Sequence, residues 1–106
     1  MRSFEERRNA FEAAMKRDEE LLFRVTARRN KLFGLWAAAR LGLSAGAADA
    51  YAASVVAADF DAPGDGDVLG KVETDLAAQR IAVAENELRA AFSAAAVEAR
   101  RQIAKH

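Results

Sequence analysis

The sequence predicts an all-α protein of four helices, the first of them long, and two observations carry that prediction. Alanine is the commonest residue and a single proline, Pro63, interrupts the chain. Alanine and the straight-chain Glu, Gln, Lys, Arg and Leu are the strongest helix formers, whereas the β-branched residues a sheet needs are few and scattered. The second observation is periodicity: apolar residues recur at i, i+3, i+4 and i+7 rather than in alternation.

The first helix is expected to begin at Ser3. Ser3 and Glu6 have the spacing of a capping box, in which hydroxyl and carboxylate each satisfy an orphan backbone N–H. No breaker follows until about Leu41. At 100° per residue, Phe4, Phe11, Met15 and Leu22 share one direction, continued by Arg29 and Arg40. A second stripe, Leu21, Val25, Leu32, Trp36 and Leu43, is rotated away from the first. The change falls near Lys16-Arg17-Asp18-Glu19-Glu20, five charges in succession. It divides the chain into an N-terminal arm, residues 1–19, helical or partly disordered, and a helical domain, residues 20–106. An isolated helix as short as the arm is marginal in water, where about 12–15 residues is the lower limit even for good sequences. Either it extends the first helix and packs on its own domain, or its apolar anchors enter the groove of another protein.

Gly42, Ser44 and Gly46 punctuate the chain before a helix at about 46–59, with Ala48, Tyr51, Ala52 and Val55 on its inner side. An acidic, Pro-Gly-containing loop follows, in which Asp65 or Asp67 is expected to cap the next helix. That helix, about 66–79, presents Val68, Leu69, Val72 and Leu76. The last, about 82–104, presents Ile81, Ala84, Leu88, Phe92, Ala95, Ala99 and Ile103. The two stripes point in opposite directions on a straight rod, so a break is expected near Ala78–Ala82 although no Gly or Pro marks it. Trp36 is expected to be a core anchor, since aromatics at helical spacing bury about 150–250 Å² each.

Composition excludes several functions. Formal net charge is zero, and residues 1–31 carry nine bases against six acids. Nucleic-acid binding runs on a clear basic excess, so no nucleic-acid partner is expected. There is no cysteine, and the one histidine is His106 at the end of the chain. The usual nucleophile–base pairs cannot be assembled, and the protein is read as a non-enzyme. The longest apolar run, Leu32–Ala39, falls well short of the about 20 residues of a membrane span. The start lacks a signal-peptide core, so a soluble, cytoplasmic protein without membrane insertion is expected.

The loop Asp59-Phe60-Asp61-Ala62-Pro63-Gly64-Asp65-Gly66-Asp67 places carboxylates at EF-hand positions 1, 3, 7 and 9. Pro63 and Gly70 stand where an oxygen ligand and the bidentate Glu belong, so a structural loop is expected and no metal site. Arg28, Arg29 and Trp36 could frame a mixed polar and apolar cleft.

Two stretches resemble a known family. Ala27-Arg28-Arg29-Asn30-Lys31-Leu32-Phe33-Gly34-Leu35-Trp36-Ala37-Ala38, and the segment from Val55 through Asp59, Phe60, Pro63, Gly64, Asp65 and Asp67 to Val68, are similar to the signatures of the ζ inhibitor subunits of alphaproteobacterial F-type ATP synthases. Lys71, Asp75 and Leu76 continue the likeness, whereas Ala77–His106 match only in pattern. The resemblance implies a four-helix bundle whose N-terminal arm enters a catalytic α/β interface of the ATP synthase head and blocks ATP hydrolysis. The expected partners are the α and β subunits, with γ, and the free protein is expected to be a monomer held peripherally at the inner membrane through the synthase. Phe4, Arg7, Ala10, Glu12, Glu20 and Phe23 sit where the family's arm residues sit, and the expected partner-binding set is Phe4, Arg7, Arg8, Ala10, Phe11, Glu12 and Met15. Ala14 departs from an expected Lys, and Met15 replaces an aromatic. No cofactor is required, and weak adenine-nucleotide binding near Arg28, Arg29 and Trp36 is implied. The rival reading is a small nucleotide or metal sensor with little or no inhibition of an ATPase.

Overall fold

A computed structural model describes residues 3–61 and 65–105, with the backbone alone for Asp61 and Asp65. It is all-helical: α1 (Phe4–Arg40), α2 (Ala45–Asp61), α3 (Asp65–Ala78) and α4 (Glu85–Ala104). The expected boundaries hold to within three residues.

The capping box at the start of α1 is formed. Ser3 Oγ accepts from the Glu6 backbone N–H at 3.2 Å, and the Ser3 N–H donates to Glu6 Oε2 at 3.3 Å. From there α1 runs for 37 residues. It does not break at the run Lys16–Glu20: on an exposed face, charged residues of mixed sign are helix-compatible and punctuate nothing. What changes along α1 is burial. From Ser3 to Arg24 every residue except Ala14 is exposed, and one face becomes covered from Val25 onward.

The buried face of α1 is Asn30, Phe33, Gly34, Ala37 and Ala38, at i, i+3, i+4, i+7 and i+8. The stripe expected from the large residues is displaced from it. Leu32, Trp36 and Leu43 are half-buried at its edge, and Leu21 is exposed. The reason is close approach. A methyl group built on Gly34 would lie 2.8 Å from Ala52 Cα, so α2 packs almost backbone to backbone on α1. Small residues make that contact and large ones flank it. Trp36 is accordingly not the fully buried anchor. Phe33 is, with no accessible surface. Trp36 stacks on it at 5.7 Å, while Phe92 from α4 meets it edge-on at 5.1 Å.

Around Phe33 the core collects Ala37, Val55, Val68, Val72, Leu76, Leu88 and Ala95. Helix α4 runs antiparallel to α1: Arg28 Nη1 donates to Gln102 Oε1 at one end, and Arg40 pairs with Glu87 at the other. Helix α2 is also antiparallel to α1, with Phe60 near Phe23 and Ala52 near Gly34.

Two helix ends share one device. After α1, the N–H of Leu43 bonds Ala38 O at 2.9 Å and that of Gly42 bonds Ala39 O at 3.1 Å. After α3, Ile81 bonds Leu76 O at 3.0 Å and Arg80 bonds Ala77 O at 2.9 Å. Both are Schellman closures, which require a left-handed residue. Gly42 supplies φ 77° without cost, whereas Arg80 adopts φ 58°. The break expected near Ala78–Ala82 is therefore made by Arg80. Ile81, Val83 and Ala84 lie before α4 rather than within it, and Ile81 and Val83 pack on the core. Asp67 stands inside the first turn of α3 rather than at its cap, because the helix already begins at Asp65. There its carboxylate faces the positive end of the helix dipole.

Candidate functional site: the projecting segment of α1

The molecule measures 64 × 25 × 23 Å, and its length is the length of α1. A 37-residue helix spans about 55 Å at 1.5 Å per residue. Most of the part before Val25 extends beyond the packed helices, where a helix of its length would be marginal alone. Here it grows from turns already fixed by packing, so the unfavourable nucleation step is avoided.

That segment displays Phe4 (72 % exposed), Phe11 (65 %) and Met15 (49 %), and Leu22 is as open. These residues share one face of the helix, as the spacing predicted. Arg7, Arg8, Ala10 and Glu12 are exposed beside them. Exposed apolar side chains gathered on one face beside charge are, as a general rule, a feature of interaction surfaces. Such a line can offer anchors to a groove while its charges set register.

Where the packed part begins, Phe23 meets Phe60 from the end of α2. Their ring centroids are 5.6 Å apart and the planes tilted by 49°. This pair was invisible in the sequence, because nothing in the spacing says that the end of α2 returns to Phe23. Phe23, Thr26, Ala27, Asn30, Val56, Asp59 and Phe60 enclose a small cavity there. Asn30 is buried, and its Oδ1 accepts from Arg29 Nε at 3.1 Å.

Arg28, Arg29 and Trp36 diverge. Arg28 reaches Gln102 and lines a groove with Phe23, Arg24, Ala27, Lys31, Val56 and Ile103. Arg29 lies over the Phe92 ring at 4.4 Å, and Trp36 stacks on Phe33 and has Arg40 over its ring at 5.1 Å. Neither Arg29 nor Trp36 lines the groove of Arg28. Of the acidic loop, Pro63 and Gly64 lie outside the described residues, while Asp59 is half-buried and Phe60 exposed. Among the described residues no group of three or more His, Cys, Asp or Glu is placed to hold a metal ion.

Two polar clusters stiffen the rest. Tyr51 Oη donates to Asp75 Oδ2 at 2.8 Å, and Lys71 Nζ donates to the same oxygen at 3.0 Å. Burial, and then the hydrogen bond and charge of Asp75, push the Tyr51 phenol above its ordinary range. On α4, hydrogen bonds from Arg101 and then Gln102 hold the Glu98 carboxyl down at about 2.

A model of the family described as ATPase inhibitor subunit zeta matches residues 1–102. The chain belongs to that family. The match spans the projecting segment and nearly all of the four helices. Membership in a family of ATPase inhibitor subunits indicates a regulatory role and implies interaction with an ATP synthase. No curated protein matches the chain. Among the described residues, no helix is long and apolar enough to cross a membrane.

Of the residues that carry the sequence resemblance, Asn30 and Gly34 have packing roles, on the evidence of burial and close approach. Phe60 has no such role in the core.

Proposed function

We propose that this zeta-family protein inhibits ATP hydrolysis by obstruction. Residues 1–19 act as an inhibitory arm that enters a catalytic α/β interface of the ATP synthase head. Residues 20–106 form a four-helix bundle that docks outside it. Phe4, Phe11 and Met15 are the apolar anchors, and Arg7, Arg8 and Glu12 set the register beside Ala10. The single observation that supports this best is the line of apolar side chains held in water on a helix that outruns its own core.

A rotary ATPase cycles its catalytic interfaces between open and closed. A helix seated in one of them must be expelled before the next closure. The segment before Val25 is long enough: 21 helical residues span about 30 Å. Because it is already helical and continuous with the bundle, less conformational entropy is lost on docking than for a disordered peptide. The partners are the α and β subunits, with γ at the centre of the head. The protein would then be cytoplasmic and reach the inner membrane only through the synthase.

No cofactor enters this mechanism. The rival reading is a nucleotide sensor at Arg28, Arg29 and Trp36, where the groove lined by Arg28 includes neither of the other two. Adding the purified protein to the cognate ATPase head separates the two. Saturable inhibition of hydrolysis supports obstruction, and unchanged hydrolysis contradicts it.

A further inference from the structure

The apolar line of the arm does not end where the packed helices begin. Leu22 (67 % exposed) is followed by Phe23 (56 %), and Phe23 touches Phe60 (60 %), which belongs to α2. The two rings meet at a tilt of 49°, so each covers one part of the other and leaves the rest in water. Of the exposed large apolar residues described, Leu21 belongs to the second stripe of α1 and Val97 lies on α4, away from this tract. The tract thus turns the corner from the rod onto the end of the packed body.

Charge marks one flank of the corner. Arg24, Arg28 and Lys31 follow one another at i, i+4 and i+7 along a groove floored by Val56 and Ile103. Arg28 is held by the neutral Gln102. Arg24 and Lys31 make no ion pair among the described residues. Asp49 shares a second groove with Lys31, and Asp59 sits beside Phe60 on the opposite flank.

We propose that Phe60 with Phe23 extends the arm's binding surface onto the body, and that its occupant is an apolar, carboxylate-flanked segment at the rim of the catalytic interface on the ATPase head. The proposal rests on the obstruction reading and deepens it. The arm supplies insertion, while the corner supplies a stop that fixes how far the arm enters. An aromatic pair at the junction of two elements suits that task, because aromatics give large, rigid contact area at low entropic cost. Arg24 and Lys31 steer acidic groups toward it and make the encounter depend on salt.

The test uses the full chain and the purified cognate ATPase head. Phe60→Ala should raise the half-inhibitory concentration about tenfold, the usual size of a lost aromatic anchor. Its thermal midpoint should match the wild type, since the ring is largely exposed. Arg24→Glu should weaken inhibition at low salt and flatten its salt dependence. Val97→Ala, equally exposed but on α4, should change nothing. Wild-type inhibition retained by both Phe60→Ala and Arg24→Glu overturns the proposal. So does a Phe60→Ala protein that melts early, because the pair is then a clip for α1. Self-association of the wild type that Phe60→Ala abolishes overturns it as well, the occupant being a second copy. A wild type that leaves hydrolysis untouched defeats the obstruction reading itself, which a defect confined to the variants does not.

Discussion

Gly34 and Ala52 meet where α1 and α2 pass closest, with 2.8 Å between Ala52 Cα and the position of a Cβ on Gly34. The same Cβ would stand 3.2 Å from the Cβ atoms of Ala52 and Val55. Backbone, unlike the tip of a flexible side chain, cannot step aside. The pair therefore sets the spacing of the two helices and the seat of Phe33 beside it.

Gly34→Ala is expected to destabilise the protein by about 1–3 kcal/mol, the usual cost of overpacking. Alanine is the better helix former by up to about 1 kcal/mol, so at an open site the same change would stabilise. Urea denaturation of the variant reads the sign. A gain in stability would mean that the helices can part without loss.

Phe33→Ala should cost about 3–5 kcal/mol, because it empties the centre of the core. That is a large share of the about 5–15 kcal/mol that holds a domain together. Trp36→Ala should cost less, about 1–2 kcal/mol, since the indole is half-buried and only part of its area leaves water on folding. Parallel melts of the two variants test the order. A Trp36 variant less stable than the Phe33 variant would reverse it.

Arg80 closes α3 in a left-handed conformation at φ 58°. A side chain costs about 1 kcal/mol there, and glycine avoids that cost. Arg80→Gly should raise stability by about 0.5–1 kcal/mol, whereas Gly42→Ala should lower it by a similar amount. Thermal midpoints shifting in opposite directions would bear this out.

The Tyr51 phenol titrates at a higher pH folded than unfolded, through burial and its bond to Asp75. The unfolded chain therefore loses that proton first, near pH 10. Tyr51's contribution is intact below that pH and declines as pH rises beyond it. Thermal midpoints between pH 9 and 11.5 should fall less steeply in Tyr51→Phe than in the wild type. At pH 7 the substitution should cost about 0.5–1.5 kcal/mol for the lost hydrogen bond. Parallel pH profiles would show that the phenol is not coupled to folding.

Helix content, the cap at Ser3 and the line Phe4, Phe11, Met15 and Leu22 were legible because each is local, a matter of spacing on one helix. The buried face of α1 was not. Its contact with α2 is written in Gly34, Ala37 and Ala38, which carry little hydrophobic signal, while Leu32 and Trp36 advertise an edge. The break after α3 was legible from the change of stripe, but not that Arg80 makes it, because residues other than glycine seldom adopt the left-handed turn. The Phe23–Phe60 corner joins residues distant in sequence, and only the antiparallel return of α2 brings them together.

The central claim is that the projecting segment of α1 carries inhibition while the packed helices carry the fold. Its most direct test is ATP hydrolysis by the cognate ATPase head in the presence of protein lacking residues 1–19, beside the full chain and Phe11→Ala. The exposed segment contributes little to the core, so the shortened protein should stay helical, melt almost where the full chain melts, and still bind the head. It should no longer slow hydrolysis, and Phe11→Ala should inhibit weakly at unchanged stability. A shortened protein that unfolds, or that inhibits as strongly as the full chain, would contradict the account.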